Sequence, residues 1–429
     1  MKNSGYASIE LFAGCGGLSL GLHNAGWQGL FAIEKDPMAF ESLFHNMIGG
    51  SAPYKAFPGW PDWFPKSATN IEAVLESEDI RNRLHALRGT VRLIAGGPPC
   101  QGFSVGGRRD GADERNKLVY KMLEFVSCVL PDVVLIENVE GIARRFVSKP
   151  GEAATSVSDD VVQRLGDMGY ESALEVVEAT AFGVPQSRRR VIIVAFNRHL
   201  ARGADIETLM SEALRVSARD VRRKYGLPVD RFISVGEAIG DLAGGARVIC
   251  PDSPKFNSGT YTEPKSAYAR LMRRGIADRE VPNSHRFSKH GEGINKLYEL
   301  AHKTQKPGRL PKSFLLENGT KKDKKVLLDK EEVVSTITTH PDEYIHYEEP
   351  RNITVREMAR LQSFPDDFHF HGRYTINGPR RRFDVARCSQ VGNAVPPLMA
   401  EGIGLAIKTV LSGLECKDVD ELEPMADHA

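Results

Sequence analysis

Short apolar runs separated by turn residues make up most of the first 200 positions. Runs of strand length at Ala7–Phe12, Leu30–Ile33, Val91–Ala95 and Val133–Ile136 alternate with segments of helical spacing, such as Leu118–Val129. Alternating strands and helices are typical of a parallel sheet with helices packed on both of its faces. The pattern therefore predicts an α/β fold with a doubly wound, mostly parallel sheet.

One of these runs ends at an unusual turn. After Val91–Ala95 the chain continues Gly96-Gly97-Pro98-Pro99-Cys100, through which neither a strand nor a helix can run. Ligands of open α/β sheets bind at the carboxyl ends of the strands, so a thiol held there on a stiff turn is placed for chemistry. The alternative is a cysteine that only packs in a tight turn. The double proline before Cys100 and the Gln-Gly-Phe-Ser after it favour the chemical role.

A glycine-rich turn follows the first run. Ala13-Gly14-Cys15-Gly16-Gly17 leads into a helical pattern at Leu18–Asn24, an arrangement that brings backbone N–H groups against a nucleotide-like ligand. Glu34 ends the second run, 18 residues after Gly16, about the spacing at which the acidic residue of a Rossmann-like unit binds ribose hydroxyls. A plain turn with a surface glutamate is the alternative interpretation of these features alone.

Two further stretches place polar side chains beside apolar strands. Glu137 directly follows four apolar residues, and a carboxylate there is costly to bury unless it is protonated or paired. Gln186, Arg188 and Arg190 alternate ahead of another strand, so they share one face while Arg189 lies on the other. Glu137 is thus a candidate functional acid, whereas the basic stretch taken alone also fits a strand that faces solvent.

The second half of the chain has a different pattern of apolar and polar residues. A charged helical pattern at about 197–225 ends in a predicted strand and turn near Val235–Asp241. Residues 250–350 combine short apolar pieces with many Pro, Gly, Lys and Asn residues, which predicts a small domain of loops and short strands without a convincing helix. Its histidines show no metal-ligand spacing and are expected on the surface or in hydrogen bonds; they include His285, His290, His302, His340 and His346.

Regular structure returns towards the C-terminus. Thr354 and Glu357 have the spacing of a capping box at the start of a helix. Further on, an amphipathic helix from Met399 to Leu411 needs a core to pack on, and we expect the N-terminal sheet to provide it.

Composition excludes several classes of protein but does not identify a substrate. The 429 residues carry a net charge of +1, and the six cysteines include no Cys-x-x-Cys pair, which argues against a disulfide framework or a structural zinc. No apolar run reaches 18 residues and no signal-peptide pattern is present, so we expect a cytoplasmic protein with no membrane partner. Between Pro251 and Arg387, 26 Lys and Arg stand against 19 Asp and Glu, which is compatible with a phosphate-contacting surface.

Six motifs occur in a fixed order along the chain. They are Phe12-Ala13-Gly14-Cys15-Gly16-Gly17, Gly97-Pro98-Pro99-Cys100-Gln101-Gly102-Phe103-Ser104, Glu137-Asn138-Val139, Gln186-Ser187-Arg188-Arg189-Arg190, Arg356-Glu357 with Arg360-Leu361-Gln362, and Gln390-Val391-Gly392-Asn393. In order and approximate spacing this set resembles the cytosine-C5 DNA methyltransferase family. The resemblance covers about residues 7–200 and 334–411, and it implies a Rossmann-like S-adenosylmethionine-dependent methyltransferase sheet with a second, smaller target-recognition domain.

The resemblance implies a covalent mechanism. Cytosine C5 is too weak a nucleophile to take a methyl group from a sulfonium, but addition of the Cys100 thiolate to C6 makes C5 reactive. A protonated Glu137 at N3 would stabilise the charge that builds on the ring, and Arg190, with Arg188 behind it, would hold the O2 of the base or the neighbouring loop. The base that removes the C5 proton is not evident, and a water molecule is expected in that role.

The same resemblance implies S-adenosylmethionine as the cofactor, bound across the carboxyl ends of the first strands. Phe12 is expected near the adenine, Gly14 and Gly16 let the backbone approach, and Glu34 takes the ribose hydroxyls. The other expected cofactor contacts are Ala13, Gly17, Lys35, Asp79, Ile80, Pro99, Leu118, Asn393 and Val395. Lys35 departs from the family pattern, because many members carry an aromatic residue there.

The target carbon lies inside stacked duplex DNA, so the cytosine must be flipped out to react. The Gly-rich loop Val105–Asn116 is expected to be a mobile lid over it. Candidate phosphate contacts are Arg270–Arg274, Lys321–Lys325 and Arg380–Arg382. We expect a catalytic and cofactor-binding domain at residues 1–245, a target-recognition domain at 246–387 with the helix Arg356–Leu361 at its hinge, and a C-terminal helix at 388–429 that completes the catalytic domain.

These implications predict a sequence-specific methyltransferase that acts as a monomer on double-stranded DNA, in restriction-modification or genome marking. Whether a cognate restriction endonuclease is its partner stays open. A tRNA cytosine-C5 methyltransferase would share every catalytic motif, although its usual Cys-Phe-Thr signature is absent. Amino-methylating DNA enzymes are disfavoured because they need Asp/Asn-Pro-Pro-aromatic in place of Gly97-Pro98-Pro99-Cys100. A catalytically silent DNA-binding relative is disfavoured by the presence of Cys100, Glu137 and Arg190 together.

Overall fold

The computed structural model describes residues 5–99, 117–143, 156–277, 280–320, 324–340, 342–375 and 384–422. Up to residue 224 its elements are β1 (Ala7–Leu11), α1 (Gly17–Asn24), β2 (Gln28–Ile33), α2 (Pro37–Leu43), α3 (Ile71–Glu76), α4 (Glu78–His85), β3 (Leu93–Gly96), α5 (Leu118–Val129), β4 (Val133–Asn138), α6 (Val157–Asp167), β5 (Tyr170–Glu178), β6 (Gln186–Ser187), β7 (Arg189–Asn197) and α7 (Ile206–Lys224). After it come α8 (Val235–Ile239), β8 (Arg247–Ile249), β9 (Asn257–Gly259), α9 (Ala267–Met272), α10 (Glu292–Thr304), β10 (Gly308–Arg309), α11 (Lys312–Glu317), β11 (Val326–Leu327), β12 (Val334–Ser335), β13 (Tyr344–Ile345), α12 (Val355–Leu361), α13 (Arg387–Asn393) and α14 (Pro397–Leu422).

Six strands of the described chain form the main sheet, in the order β2-β1-β3-β4-β7-β5. The first four are parallel, and β7 runs antiparallel to both of its neighbours. The chain moves from β1 to β2 through α1 in one direction, and from β3 to β4 through α5 in the other. Because such crossovers are right-handed, α1 and α5 lie on opposite faces of the sheet. The predicted doubly wound, mostly parallel fold is confirmed.

Helix α14 forms much of the layer on the α1 side, where it contacts α1 and α7. We expected it to pack on the sheet, and it reaches the sheet mainly through these two helices. In the described part of the chain, the helical stretch 387–416 is long and apolar enough to cross a membrane by length and composition, but 78% of its most apolar window is buried inside the protein. It is therefore a core helix of this fold.

The prediction of a strand and turn near Val235–Asp241 is wrong, because the chain forms α8 there. Ser234 and Glu237 make a capping box, in which each side chain accepts a hydrogen bond from the backbone N–H of the other. Val235, Ala238 and Ile239 are the buried residues of this helix. Their spacing of three and four residues is helical, and five residues are too few for the periodicity to stand out in the sequence.

The prediction that residues 250–350 lack a convincing helix is also wrong. Helix α10 spans 13 residues, and it buries only Leu297, Tyr298 and Ala301. These side chains belong to a small second core that includes Phe314 and Ile345 and lies beside the three-stranded sheet β10-β11-β13. The short strands were expected, whereas the narrow buried face of α10 is hidden among polar residues in the sequence.

Histidines of this region take part in hydrogen bonds, as expected, but two of them are not on the surface. His285 is fully buried, with Nδ1 2.8 Å from Thr354 Oγ1 and Nε2 3.1 Å from the carbonyl of Leu242. His346 is equally buried, and its Nδ1 accepts the backbone N–H groups of residues 348 and 349. Among the described residues no cluster of three metal-ligating side chains occurs.

Helix α12 begins at the predicted capping box. Thr354 Oγ1 accepts from the N–H of Glu357, and the Glu357 carboxylate accepts from the N–H of Thr354. Every residue of this helix is buried, including Arg360, whose guanidinium lies 2.9 Å from Asp241 and 2.7 Å from Asp366. The two carboxylates compensate the buried charge, and they tie α12 to the turn that follows α8.

Glu10 is a buried acid in the middle of β1. Its side chain is 4% exposed, and Ser19 Oγ lies 2.5 Å from its Oε2. Burial raises the pKa of Glu10 to about 8, although the hydrogen bonds with Ser19 act in the opposite direction. The folded protein therefore holds a proton on Glu10 at pH values where an unfolded chain has lost it.

We expect this proton to make the stability pH-dependent. Between the unfolded pKa of about 4.3 and the folded pKa of about 8, the native state binds more protons than the unfolded state, so stability falls as pH rises, by about 1.4 kcal/mol per pH unit from this group. Glu10→Gln should remove that part of the slope. Thermal unfolding between pH 5 and 9 measures it, with the exposed Glu212→Gln as control. An unchanged slope in Glu10→Gln would contradict the assignment.

Candidate active site at the carboxyl edge of the sheet

The sheet changes direction next to β1, which lies between β2 and β3. The turns that leave β1 and β3 therefore diverge, and the crevice between them is where open α/β sheets bind their ligands. Glu34 and the turn after β1 lie on one side of this crevice. The Gly97-Pro98-Pro99 turn and Glu137 lie on the other. Most of the predicted site residues are carried by these turns.

The turn after β1 has a backbone that few side chains tolerate. Phe12, Gly14 and Gly16 have φ values of 57°, 58° and 99°, in the left-handed region. A positive φ is unusual for a bulky residue such as Phe12, and backbone strain of this kind is common at functional sites. No atom lies within 4 Å of the point where a Cβ on Gly14 would stand, so the turn is open at this position. Gly16 caps the N-terminus of α1.

Glu34 joins the first two turns of the sheet. Its Oε2 accepts the N–H of Gly14 at 2.9 Å, and its Oε1 accepts the N–H of Asp36 at 2.7 Å. Burial raises the pKa of Glu34 above its usual value, and the two N–H donors oppose that effect. An open glycine turn beside an acid at the end of the next strand fits a ribose-bearing ligand such as S-adenosylmethionine. Lys35 is exposed next to it.

The C-terminal motif reaches the same turn. A Cβ on Gly17 would overlap the carbonyl oxygen of Val395, so the segment after α13 runs against the start of α1. Cys15 Sγ points to the carbonyl of Gln390 at 3.6 Å. Asn393, the last residue of α13, is exposed, and Val395 is buried. The predicted residues at 12–17, at 34 and at 393–395 are therefore brought together, including Ala13.

Other predicted cofactor residues lie on separate elements. Asp79 is exposed in the first turn of α4 and forms an ion pair with Arg83 at 3.0 Å. Ile80 is half-buried against the core, and Leu118 is the buried first residue of α5. Pro99 is half-buried at the end of its described segment. Within the described ranges, no hydrogen bond links these four side chains to the glycine turn.

Several predictions lie outside the described residues. These are the nucleophile Cys100, the lid Val105–Asn116, and the basic segments Arg380–Arg382 and 321–323.

Glu137 is paired with Arg190 across the antiparallel strands β4 and β7. Arg190 Nε lies 3.0 Å from Glu137 Oε1, and both side chains are nearly buried, at 12% and 11% exposure. The contact joins opposite charges without hydrogen-bond geometry, so Oε1 has no hydrogen-bond donor among the described residues. Of the two ways to bury a carboxylate that the sequence left open, the structure shows pairing.

The turn that leads to Cys100 is fixed against the same strand. The Asn138 side chain donates to the carbonyl of Pro98 at 3.0 Å, and a Cβ on Gly97 would lie 3.1 Å from Glu137 Oε2. A larger residue at Gly97 would press on that carboxylate. The backbone next to Cys100 is therefore held beside Glu137 by β4 itself.

The predicted alternation at Gln186, Arg188 and Arg190 is confirmed. Gln186 and Arg188 are buried and Arg190 nearly so, whereas Ser187 and Arg189 are exposed. Arg188 Nη1 donates to the carbonyl of residue 392 at 3.2 Å. Burial, and then the charge of Arg190, lower the pKa of Arg188 to about 9, which leaves it charged at neutral pH. Arg188 therefore holds the backbone around the site.

Sequence reasoning missed the part played by two glutamines. The Gln186 side chain donates to the Gln362 side chain at 2.6 Å and accepts the N–H of Ile337 at 2.8 Å. Gln362 in turn donates to the carbonyl of Val391 at 2.7 Å. Both lie in motifs noted above, but only tertiary contacts show that they join three distant segments of the chain.

Comparison with known proteins places this geometry in context. Residues 6–55 and 66–409 match the model of the C-5 cytosine-specific DNA methylase family. The chain is 30% identical to type II methyltransferase M.PspPI of Psychrobacter sp. (97% of this chain, 82% of the relative), and 28% identical to type II methyltransferase M.DdeI of Desulfomicrobium norvegicum (92% and 86%).

One solved structure supports the fold. It is described as a prophage-encoded DNA modification methyltransferase (E. coli), with a TM-score of 0.61 and 23% identity over 95% of this chain and 99% of that one.

The contacts of Glu34 lead to a binding prediction. In Glu34→Gln one carboxylate oxygen becomes an NH₂ group that faces a backbone N–H, so the turn loses an acceptor at nearly unchanged volume. We expect about tenfold weaker binding of S-adenosylhomocysteine, because an unsatisfied group costs about 1–3 kcal/mol. Isothermal titration calorimetry measures the Kd. The exposed Glu41→Gln should bind as the wild type does, and equal affinity of all three proteins would show that Glu34 does not support the site.

Proposed function

Because the chain belongs to the C-5 cytosine-specific DNA methylase family, we propose that it methylates a flipped cytosine within a short recognition sequence through a covalent bond to Cys100. The chain is a DNA (cytosine-5-)-methyltransferase, its substrate is duplex DNA, and S-adenosylmethionine is its methyl donor. The observation that carries the proposal is the Glu137–Arg190 pair beside the Gly97-Pro98-Pro99 turn.

The proposed reaction uses the side chains of Cys100 and Glu137. The Cys100 thiolate adds to C6 of cytosine. Glu137 takes up a proton as the base replaces Arg190 as its partner and donates that proton to N3, so the electron pair of the C5–C6 bond becomes available at C5. S-adenosylmethionine supplies an electrophilic methyl group. Once C5 carries the methyl group, a base takes the C5 proton, the C5–C6 double bond forms again, the Cys100 thiolate leaves and N3 returns its proton to Glu137.

Arg190 takes a role that changes during the reaction. Before DNA binds, it compensates the Glu137 carboxylate at 3.0 Å. A cytosine that enters would meet Glu137 with its N3 edge and Arg190 with its O2, so both side chains would exchange one partner for another. Arg188, already bound to a backbone carbonyl, acts as a positioning residue behind them.

For the cofactor we propose the residues that the structure gathers around the first turn. Phe12, Gly14 and Gly16 would present backbone to the ligand, and Glu34 would take the ribose hydroxyls. Val395 closes the turn from the C-terminal side. We assign Asp79, Ile80, Pro99 and Leu118 to the edge of the same pocket because of the resemblance alone, along with Ala13, Gly17, Lys35 and Asn393.

The division into domains is also proposed. Residues 1–245 and 388–429 would form the catalytic part, and 246–387 would read DNA, with α12 at the hinge. The second core around Leu297 and Phe314 supports a separate small unit. We further propose a monomer in the cytoplasm that serves a restriction-modification system, since relatives bear type II methyltransferase names.

Glu137 can be tested by an isosteric change. Glu137→Gln keeps the shape but cannot donate an acidic proton, so kcat should fall by roughly 10²–10⁴-fold while the affinity for S-adenosylhomocysteine stays the same. Transfer of a radiolabelled methyl group to DNA measures kcat. The matched control is Glu140→Gln, because Glu140 is exposed and pairs with the other arginine, Arg189. If Glu137→Gln kept wild-type kcat, Glu137 would have no part in the chemistry.

The activity itself is tested in a host that lacks cytosine methylation. We expect bisulfite sequencing of that host's genome to show methylation confined to one short motif after expression of the wild type, and none after expression of Cys100→Ala. An unmethylated genome despite soluble protein would contradict DNA methylation by the isolated chain and would favour an RNA substrate. Methyl transfer by Cys100→Ser would contradict the covalent step.

A further inference from the structure

A cavity of about 430 Å³ lies outside the candidate active site and has no part in the reaction described above. Its lining includes Ile294 and Tyr298 of α10 and Ser389 of α13. The volume is near the lower end of the range for ligand pockets, roughly 300–1,000 Å³. It can admit one nucleotide, and it is far too small for a duplex.

Part of the lining is a chain of polar groups that are hydrogen-bonded to one another. Lys325 Nζ donates to the hydroxyl of Tyr298 at 2.7 Å and to the carbonyl of Asp342 at 2.8 Å. The Tyr298 hydroxyl in turn donates to the side chain of Asn352. Lys325, Tyr298 and Asn352 are all buried. Polar groups held in this way need no reordering when a ligand arrives.

His290 lines the cavity and has an unused nitrogen. Its Nε2 is buried without a hydrogen-bond partner among the described residues, and its ring lies edge-on to Tyr298 at 5.2 Å. Burial, and then the charge of Lys325, lower the pKa of His290, so the ring is neutral at pH 7 and offers one donor and one acceptor. A buried polar atom without a partner is uncommon, and a ligand that meets it gains a hydrogen bond.

The remaining lining suits both parts of a nucleotide. Lys289 and His340 can face a phosphate, and Asp342 and Asp384 can accept hydrogen bonds from exocyclic amino groups. Purely cationic walls would fit a phosphate alone, and apolar walls would fit neither part.

The cavity is connected to the active site through a short segment. Thr339 and His340 line it, and they stand two and three positions after Ile337, whose N–H is held by Gln186 and whose carbonyl lies 3.5 Å from Arg188. A group that binds in the cavity therefore lies close in the chain to the backbone that Arg188 contacts.

From this placement we propose that the cavity receives a nucleotide of the target DNA close to the methylated cytosine, with its phosphate towards Lys289 and its base edge towards His290. The inference rests on the proposed function, because it assumes that DNA occupies this side of the molecule. It adds a second base-sized site to the one in which the chemistry takes place.

A filled cavity should exclude the nucleotide. In Ile294→Trp a larger side chain would occupy the space, and in His290→Ala the unused nitrogen would be lost. We expect the KM for DNA to rise about tenfold in each, in line with the roughly 1–3 kcal/mol that one lost base contact costs, with the KM for S-adenosylmethionine unchanged. Leu300→Trp, at an exposed position on the same helix, is the control and should keep both values. Thermal unfolding of each variant establishes that it is folded.

The nucleotide is identified by an abasic scan. Duplexes that lack one base at each position around the target cytosine are tested with the wild type and with Ile294→Trp. One position should weaken the wild type about tenfold and leave Ile294→Trp unaffected, because the variant has already lost that contact. Methylation by the wild type with equal losses in both proteins at every position would overturn the cavity site while the proposed function stands. No methylation by any protein would overturn the proposed function instead.

Discussion

Helices α1 and α14 pack backbone against backbone, and the glycine turn of the candidate site depends on that contact. A Cβ on Gly21 would lie 2.6 Å from the backbone nitrogen of Glu401 and would overlap Ala400, so only glycine allows the helices to come this close. Trp27, just before β2, donates to the carbonyl of Gly404 at 3.0 Å and fixes the register. The same alignment brings Val395 to the glycine turn. Helix packing and the shape of the glycine turn therefore rest on one set of contacts.

A buried charge holds a second group of segments together. Arg360 is neutralised by Asp241 and Asp366, which come from two different segments. Removal of one partner from such a group typically costs about 3–5 kcal/mol, because the remaining charge stays buried. The neighbouring Gln362 then connects this rigid centre to Gln186 and Val391. The segment that carries Arg188 and Arg190 is in this way positioned relative to α12 rather than by its own strands alone.

Much of the fold could be predicted from local patterns, because residues adjacent in the chain determine these features. Turn residues end strands wherever they occur, as at Gly97-Pro98-Pro99, and a two-residue repeat determines which of the residues 186–190 share a face. The capping box at Thr354 likewise needs only four residues. Each of these predictions depends on a few neighbours in the chain, which is why each was confirmed.

The wrong predictions and the omissions concern features that a few neighbouring residues do not determine. Helix α8 is too short to show its period, and α10 buries too narrow a face to be told from a loop. The pairing of Glu137 with Arg190 follows from the antiparallel register of two strands, which no single stretch of sequence contains. The link between Gln186 and Gln362 spans 176 positions. Burial of a charged or polar group can be predicted locally, whereas the identity of its partner is a property of the tertiary structure.

The late position of α14 has a consequence for synthesis on the ribosome. Strands β1 to β4 emerge first and can pair with one another, but the glycine face of α1 has no partner until about 250 further residues have been translated. Throughout that interval the turn at residues 12–17 lacks the backbone of Val395 that closes it. A nascent chain thus completes its parallel strands early and the turn of the proposed cofactor site last, so the proposed methyl transfer can begin only when translation is nearly finished.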